Sequence, residues 1–326
     1  MRQHSEPATK RTANERRAAS RLIALLALAL GAHAAYAQQG PAPAGAPAAG
    51  GPPPEVKVTA TLLGGSVYGI DGRGGRMAAL VGPEGVFLVD AQFPDVTDKI
   101  VAALKQLTPA PLRFLVNTHV HGDHTGGNEN FAKLGVTILG RPELREQLVT
   151  PRPGPNGQTP PAAPAGALPI VLYDNPTTIE LDGEEAQLIP LPPAHTNGDT
   201  AVLFKKANVL MTGDVFRSEG MPAAAIGNGG SVLGILKCIE LFIQLSDANT
   251  KVVPGHGPVA NRDALVFHRQ VLVTVRDRVA KAKAEGKTLE QIQAMKPTAE
   301  FDQRVGGPPA FIPQFVTTLY NELPAR

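Results

Sequence analysis

His119-Val120-His121-Gly122-Asp123-His124 places three imidazoles and a carboxylate within six residues. The stretch follows Phe114-Leu115-Val116-Asn117-Thr118, whose apolar start reads as a buried strand. Alternate residues of an extended segment point the same way, so His119 and His121 can share one cation. Asp123 and His124, at the turn that follows, can aim at a neighbouring cation. A donor set of imidazole and carboxylate without sulfur suits zinc, or iron or manganese.

Three further residues have the same setting, an apolar run that leads to a ligand type. Leu188-Ile189-Pro190-Leu191 leads to His195 in Ala194-His195-Thr196-Asn197-Gly198-Asp199, and Val209-Leu210-Met211-Thr212-Gly213 leads to Asp214. Val252-Val253-Pro254-Gly255 leads to His256. Taken singly, Asp214 could be a helix cap and His256 a turn residue. Jointly, four strand ends with ligands at one edge of a sheet describe a metal centre. His4 and His33 lie in the N-terminal segment, and His268 reads as a helix-face residue.

The order H-x-H-x-D-H, then His195, Asp214 and His256, resembles the metallo-β-lactamase superfamily of hydrolases, over roughly Val56 to Leu265. The resemblance implies an α/β (α+β) fold, a four-layer αββα sandwich with the metals at one edge between the sheets. It implies that His119, His121 and His195 bind a first metal, that Asp123, His124 and His256 bind a second, and that Asp214 bridges them. Asp90, at the end of Val86-Phe87-Leu88-Val89, would support the metal loop, and Thr196 would orient a neighbouring ligand. Several β-lactamases of this superfamily carry a cysteine at the second metal, near where Asp214 falls. Here the single cysteine, Cys238, lies in Leu236-Lys237-Cys238-Ile239-Glu240-Leu241 and reads as a buried helix residue. Asp214 at the bridge is more like the glyoxalase-II, lactonase and general metal-hydrolase branches.

Two divalent ions bring four positive charges against two from Asp123 and Asp214, which draws the pKa of a bound water toward ~7. The expectation is an exported dinuclear-zinc hydrolase in which a metal-bridging hydroxide cleaves an acyl C–N, C–O or C–S bond in a small molecule. β-Lactams, lactones and thioesters are the candidate substrates, and Asp123 would orient the hydroxide and relay its proton. The competing readings are an iron-dependent oxidoreductase on the same scaffold, such as a persulfide dioxygenase, a nuclease of the superfamily, and a non-catalytic binding protein. A one-iron oxidoreductase would not need all seven ligands. Asn228, in Gly227-Asn228-Gly229-Gly230, reads either as a donor to the substrate oxyanion or as an Asn-Gly turn residue. The flexible hairpin Val67–Met77 and the loops Thr150–Pro169 and Gly220–Gly230 are candidate walls. No basic anchor for a substrate carboxylate or phosphate stands out.

The remaining sequence sets the organisation. Of 326 residues only one is cysteine, which excludes a disulfide framework and a CxxC site. Residues 1–37 read as a secretory signal peptide: basic residues, the apolar run Leu22–Leu30, and Ala35-Tyr36-Ala37, with cleavage expected after Ala37. The expected location is periplasmic or secreted, and Arg16-Arg17 matches a twin-arginine signal poorly. Residues 38–55 form a Gly/Ala/Pro-rich linker, and residues 56–326 the hydrolase domain with C-terminal helices. From residue 38 on the chain has 25 basic and 27 acidic residues, which argues against a nucleic-acid partner. No later apolar run is long enough for stable membrane insertion. Strands are expected over Val56–Leu63, Val67–Ile70, Met77–Val81, Val86–Val89, Phe114–Val116, Thr178–Leu181, Ala186–Leu191, Thr200–Lys205, Val209–Met211 and Lys251–Val253. Helices are expected over Asp95–Leu107, Asn128–Leu134, Pro142–Leu148, Ser231–Leu245 and Arg262–Ala284. The grouping suggests two sheets packed face to face with helices outside.

Overall fold

The short apolar runs pair into two sheets in a computed structural model, which describes residues 55–153, 158–307 and 311–324. The segment read as a signal peptide and linker residues 38–54 lie outside the described residues. The first sheet has the order β1 (Thr59–Gly64), β2 (Val67–Asp71), β3 (Met77–Gly82), β4 (Gly85–Val89), β5 (Leu112–Val116), β6 (Thr137–Gly140), β7 (Val171–Leu172). Strands β1 to β4 pair antiparallel, and β4 to β7 run parallel. The second sheet contains β8 (Thr177–Leu181), β9 (Glu184–Pro190), β10 (Thr200–Phe204), β11 (Val209–Gly213) and β12 (Lys251–Pro254), with β12 parallel to β11 at one edge.

Three apolar clusters define the layers. Between the sheets lie Val67, Leu80, Phe87, Val116, Leu188, Val202, Phe204 and Met211 among others, with Phe87 and Phe204 edge to face at 6.2 Å. The outer face of the first sheet is covered by α1 (Thr97–Lys105), whose Ile100 and Leu104 are buried, and by Phe131 of α3 (Asn128–Lys133). Two short helices, α2 (Gly122–Thr125) and α4 (Pro142–Val149), bracket α3 along the chain. The outer face of the second sheet carries α5 (Val232–Leu245), α6 (Arg262–Ala284), α7 (Leu289–Ala294), α8 (Ala299–Val305) and α9 (Phe311–Glu322). This is the four-layer αββα arrangement. No helix among the described residues is long and apolar enough to cross a membrane.

Local chemistry accounts for the boundaries. Asp182 and Gly183 have φ of 53° and 73°, which suits a two-residue hairpin turn between β8 and β9. That turn interlocks with the β3–β4 turn, because Asp182 Oδ1 accepts from Glu84 N at 2.8 Å and Glu84 Oε2 accepts from Asp182 N at 2.7 Å. Helix α5 starts at Ser231, whose hydroxyl accepts from Gly234 N. Its free Val232 and Leu233 N–H groups donate to the Glu322 carboxylate at 2.8 and 2.9 Å, so α9 caps α5.

Several sequence expectations change. Strands β6 and β7 escape the pattern, being four and two residues long with no alternation. The first strand begins at Thr59, and Pro94–Val96 form a 3-10 turn ahead of α1. The hairpin expected to be a flexible cover is fastened at its tip: Gly75 N donates to Asp123 O, Arg76 N to Gly255 O, and Arg76 Nη1 to Gly257 O.

Candidate metal centre

Strand β4 ends at Val89, and Asp90 follows with φ of 68°, which turns its carboxylate under the next strand end. Its Oδ1 accepts from Thr118 N at 2.7 Å, and its Oδ2 accepts from Thr118 Oγ1 at 2.8 Å and from His124 Nδ1 at 2.7 Å. Buried Asn117 and Asn128 hydrogen-bond each other, and Asn117 Nδ2 also donates to His124 O. The six-residue motif therefore crosses from β5 into α2 on a rigid polar base.

The structure brings all seven sequence-predicted ligand types together in two abutting groups. In the first, His121 Nδ1 lies 3.1 Å from His119 Nε2 and 3.0 Å from His195 Nε2. In the second, Asp123 Oδ2 lies 3.6 Å from His124 Nε2 and 3.1 Å from His256 Nε2. Asp214 stands between them: Oδ1 is 3.3 Å from His124 Nε2, and Oδ2 is 3.4 Å from His256 Nε2 and 3.7 Å from His195 Nε2. Close backbone approach makes this possible. A Cβ on Gly255 would sit 2.1 Å from Asp214 Oδ1, and one on Gly75 would sit 2.0 Å from His124 Cε1.

The outer ring nitrogens show which way the lone pairs face. His195 Nδ1 donates to Ala223 O at 2.6 Å, His124 Nδ1 to Asp90, and His121 Nε2 to Asn228 Oδ1 at 3.3 Å. Thr118 gives its own hydrogen to Asp90, so its oxygen accepts from His119 Nδ1 at 3.0 Å. The rings of His119, His121 and His195 then each present an unprotonated nitrogen inward. His124 Nε2 and Asp214 Oδ1 are buried without a hydrogen-bond partner. Converging lone pairs and buried unsatisfied acceptors are costly unless a cation accepts them. The residues present therefore fit divalent cations.

The two groups differ electrostatically. Burial holds His119 and His121 below the ordinary histidine range, and His195 down at about 3. Burial would lower His124 too, but Asp90, Asp123 and Asp214 outweigh it and raise it well above its usual value. Asp214 leads in pushing His256 up to about 9. Burial disfavours charge on Asp123, yet His124 and His256 bring it down to about 2. The first group is thus a neutral nitrogen cage and the second a charged imidazole–carboxylate array.

Other sequence readings meet their structural setting here. Thr196 does not face the cluster directly: its hydroxyl donates to Asp199 Oδ1 at 2.6 Å, and its N–H donates to both oxygens of that carboxylate. Asp199, which burial pushes up to about 7, closes the loop that presents His195. Asn228 turns its oxygen toward His121 and donates one Nδ2 hydrogen to Gln147 Oε1 at 2.6 Å. Cys238 is buried on α5, and burial raises its thiol to about 12. His268 lies on α6 as read, on the buried face of that helix, with the Phe216 ring at 4.9 Å.

Three residues went unread in the sequence. Asp199 had a signal in its position four residues after His195. Arg217 had one three residues after Asp214; its Nη1 lies 3.9 Å from Asp214 Oδ2, and its guanidinium faces the Phe311 ring at 5.6 Å. It supplies the basic group beside the cluster that the pattern alone did not reveal. Gln147, on the neighbouring α4, carries no sequence signal.

An αββα sandwich with a histidine–aspartate centre at one sheet edge defines a class of metal-centred proteins. The sequence profile of the metallo-beta-lactamase superfamily matches residues 71–257, a span that includes every member of the cluster, and the chain belongs to that superfamily. It is 27% identical over 192 residues to a beta-lactamase-like protein 2 homolog of Caenorhabditis elegans, covering 56% of this chain and 57% of that protein. It is 27% identical over 168 residues to a hydroxyacylglutathione hydrolase of Rhodospirillum rubrum, covering 50% of this chain and 55% of that protein. The chain thus spans little more than half the length of these curated relatives. A metallo-beta-lactamase from Pontibacter korlensis superposes with a TM-score of 0.55 at 19% identity, over 67% of this chain and 99% of that one.

Proposed function

We propose that this protein is an exported metal-dependent hydrolase that cleaves an acyl C–N, C–O or C–S bond in a small molecule. The observation that carries the reading is the meeting of seven ligand types from separate segments, with His124 Nε2 and Asp214 Oδ1 buried 3.3 Å apart and neither of them hydrogen-bonded. The hydrolase relative adds support, and β-lactams, lactones and thioesters are the substrates to test. His119, His121 and His195 would hold one divalent cation, Asp123, His124 and His256 the other, and Asp214 would touch both. Zinc suits the nitrogen and oxygen donors. Bound, such cations would acidify water and polarise a substrate carbonyl.

The chain's own residues do the rest. Asp214 is held ionised by His256 and His124 against the cost of its burial. Asp123, whose side chain keeps a small exposed part, is the carboxylate placed to orient a water and take up its proton. Arg217 keeps a fixed positive charge beside Asp214, suited to an anionic group on the substrate. Gln147 and the Asn228 loop close one side of His121.

Metal analysis of protein isolated without added metal is the first test, followed by cephalosporin, lactone and thioester panels. The expected result is about two zinc ions per chain and turnover on one panel. Iron at one ion per chain would move the assignment to an oxidoreductase. Neither metal nor turnover would remove the proposal. Export rests on residues 1–37, and N-terminal sequencing of periplasmic protein should begin at Gln38.

A further inference from the structure

Gln147 on α4 is buried, holds no candidate cation itself, and is fully engaged by two loops of the centre. Its Oε1 accepts from Asn228 Nδ2 at 2.6 Å. Its Nε2 donates to Asn197 Oδ1 and, at 3.4 Å, to Asn228 O. The backbone is shaped for this approach: a Cβ on Gly198 would sit 2.8 Å from Leu144 N, and Gly229 has φ of 76° with its Cβ position 3.0 Å from Asn197 Cβ.

The Asn228 amide has two orientations with opposite consequences for His121. With its oxygen 3.3 Å from His121 Nε2, as observed, that nitrogen must carry the proton, and Nδ1 keeps a lone pair facing His119 and His195. With the amide reversed, its NH2 would favour a lone pair on Nε2 and leave an N–H on Nδ1, aimed into the first group. Gln147 makes the choice. Its NH2 is committed to the oxygens of Asn197 and of the Asn228 backbone, so only its own oxygen is left to meet the Asn228 side chain. Asn228 must answer with its NH2, and its oxygen falls toward His121.

We propose that Gln147 is a positioning residue that sets the tautomer of His121 through Asn228, and so prepares the first group for a divalent cation. The inference rests on the metal-site reading above and adds a residue that touches neither cation nor substrate.

The test uses the full chain, with the His121 tautomer read from imidazole nitrogen shifts in metal-free protein and Zn2+ affinity from chelator competition. Wild type should show the Nε2–H tautomer. Gln147→Leu should give a mixture and bind Zn2+ about 10–100-fold more weakly, the usual effect of losing a group that orients a ligand. Adding Asn228→Asp to Gln147→Leu should restore the affinity, because a carboxylate accepts from His121 in either orientation. A wild-type tautomer and affinity in Gln147→Leu would overturn the proposal, as would a double variant no better than the single one. If Gln147→Leu does not fold, Asn228→Ala decides: the same weakening supports the relay, and wild-type affinity overturns it. Unchanged Zn2+ binding in His121→Ala would refute the metal-site reading instead, while the tautomer comparison still decides the role of Gln147.

Discussion

Asp90 Oδ2 stands 2.7 Å from His124 Nδ1, with both side chains essentially sealed from solvent. One carboxylate thereby fixes the orientation of His124 and, through Thr118, that of His119. It links the end of β4 to the base of both groups without belonging to either.

Asp90→Ala removes a carboxylate acceptor from three buried donors at once. Hydrogen bonds to a charged group contribute about 1.5–3 kcal/mol each. Metal-free protein should therefore lose about 3 kcal/mol or more in denaturant unfolding, and metal affinity should fall about 10–100-fold. Wild-type stability would show that Thr118 and His124 find other partners.

Asp123 and His121 should separate chemistry from loading. Asp123 is only one of three side chains in the charged group, and His124 and His256 remain to hold a cation, so Asp123→Asn should retain part of the metal and lose most turnover. His121→Ala opens the nitrogen cage itself and should lower metal content directly, as measured by elemental analysis. Full activity in Asp123→Asn would remove its role in orienting water.

His268 makes folding sensitive to acid. Burial holds its folded pKa down at about 4, against 6.5 for a free histidine. Between those values the unfolded chain binds the proton and the folded chain does not, so stability falls as pH drops through that window and is whole above it. The full effect is about 3 kcal/mol, at about 1.4 kcal/mol per pKa unit. His268→Leu should shrink the difference in unfolding free energy between pH 8 and pH 4.5. An unchanged difference would place the acid sensitivity elsewhere.

Glu322 ties the last helix to the candidate centre's side of the fold. Its carboxylate takes the Val232 and Leu233 N–H groups and the Ser231 hydroxyl. Glu322→Ala should cost about 1–2 kcal/mol, in the range of a lost helix cap, and should speed proteolysis within α9 more than within the sheets.

Periodicity made much of the fold legible. The run Arg262–Ala284 becomes α6 with the bounds its spacing gave, because that signal acts within a few residues. Strands β6 and β7 were not legible: Thr137–Gly140 and Val171–Leu172 are too short to show alternation and exist by pairing with a neighbour. Helices were expected at the C-terminus, but the bounds of the three after α6 were not read from the sequence; their buried residues pack into one cluster with α5 and α6.

Composition and spacing by themselves determined which side chains form the cluster, since ligand chemistry allows few residue types and the strand ends carry them in order. They could not say which way each ring faces, where a fixed cation stands, or what holds the loops. Those depend on Asp90 meeting His124, on Arg217 reaching back to Asp214, and on Gln147 turning Asn228. Each pair lies at hydrogen-bond or ion-pair range only after the chain has packed. Tautomer, charge and orientation are set at that range, where a few tenths of an ångström decide which atom donates.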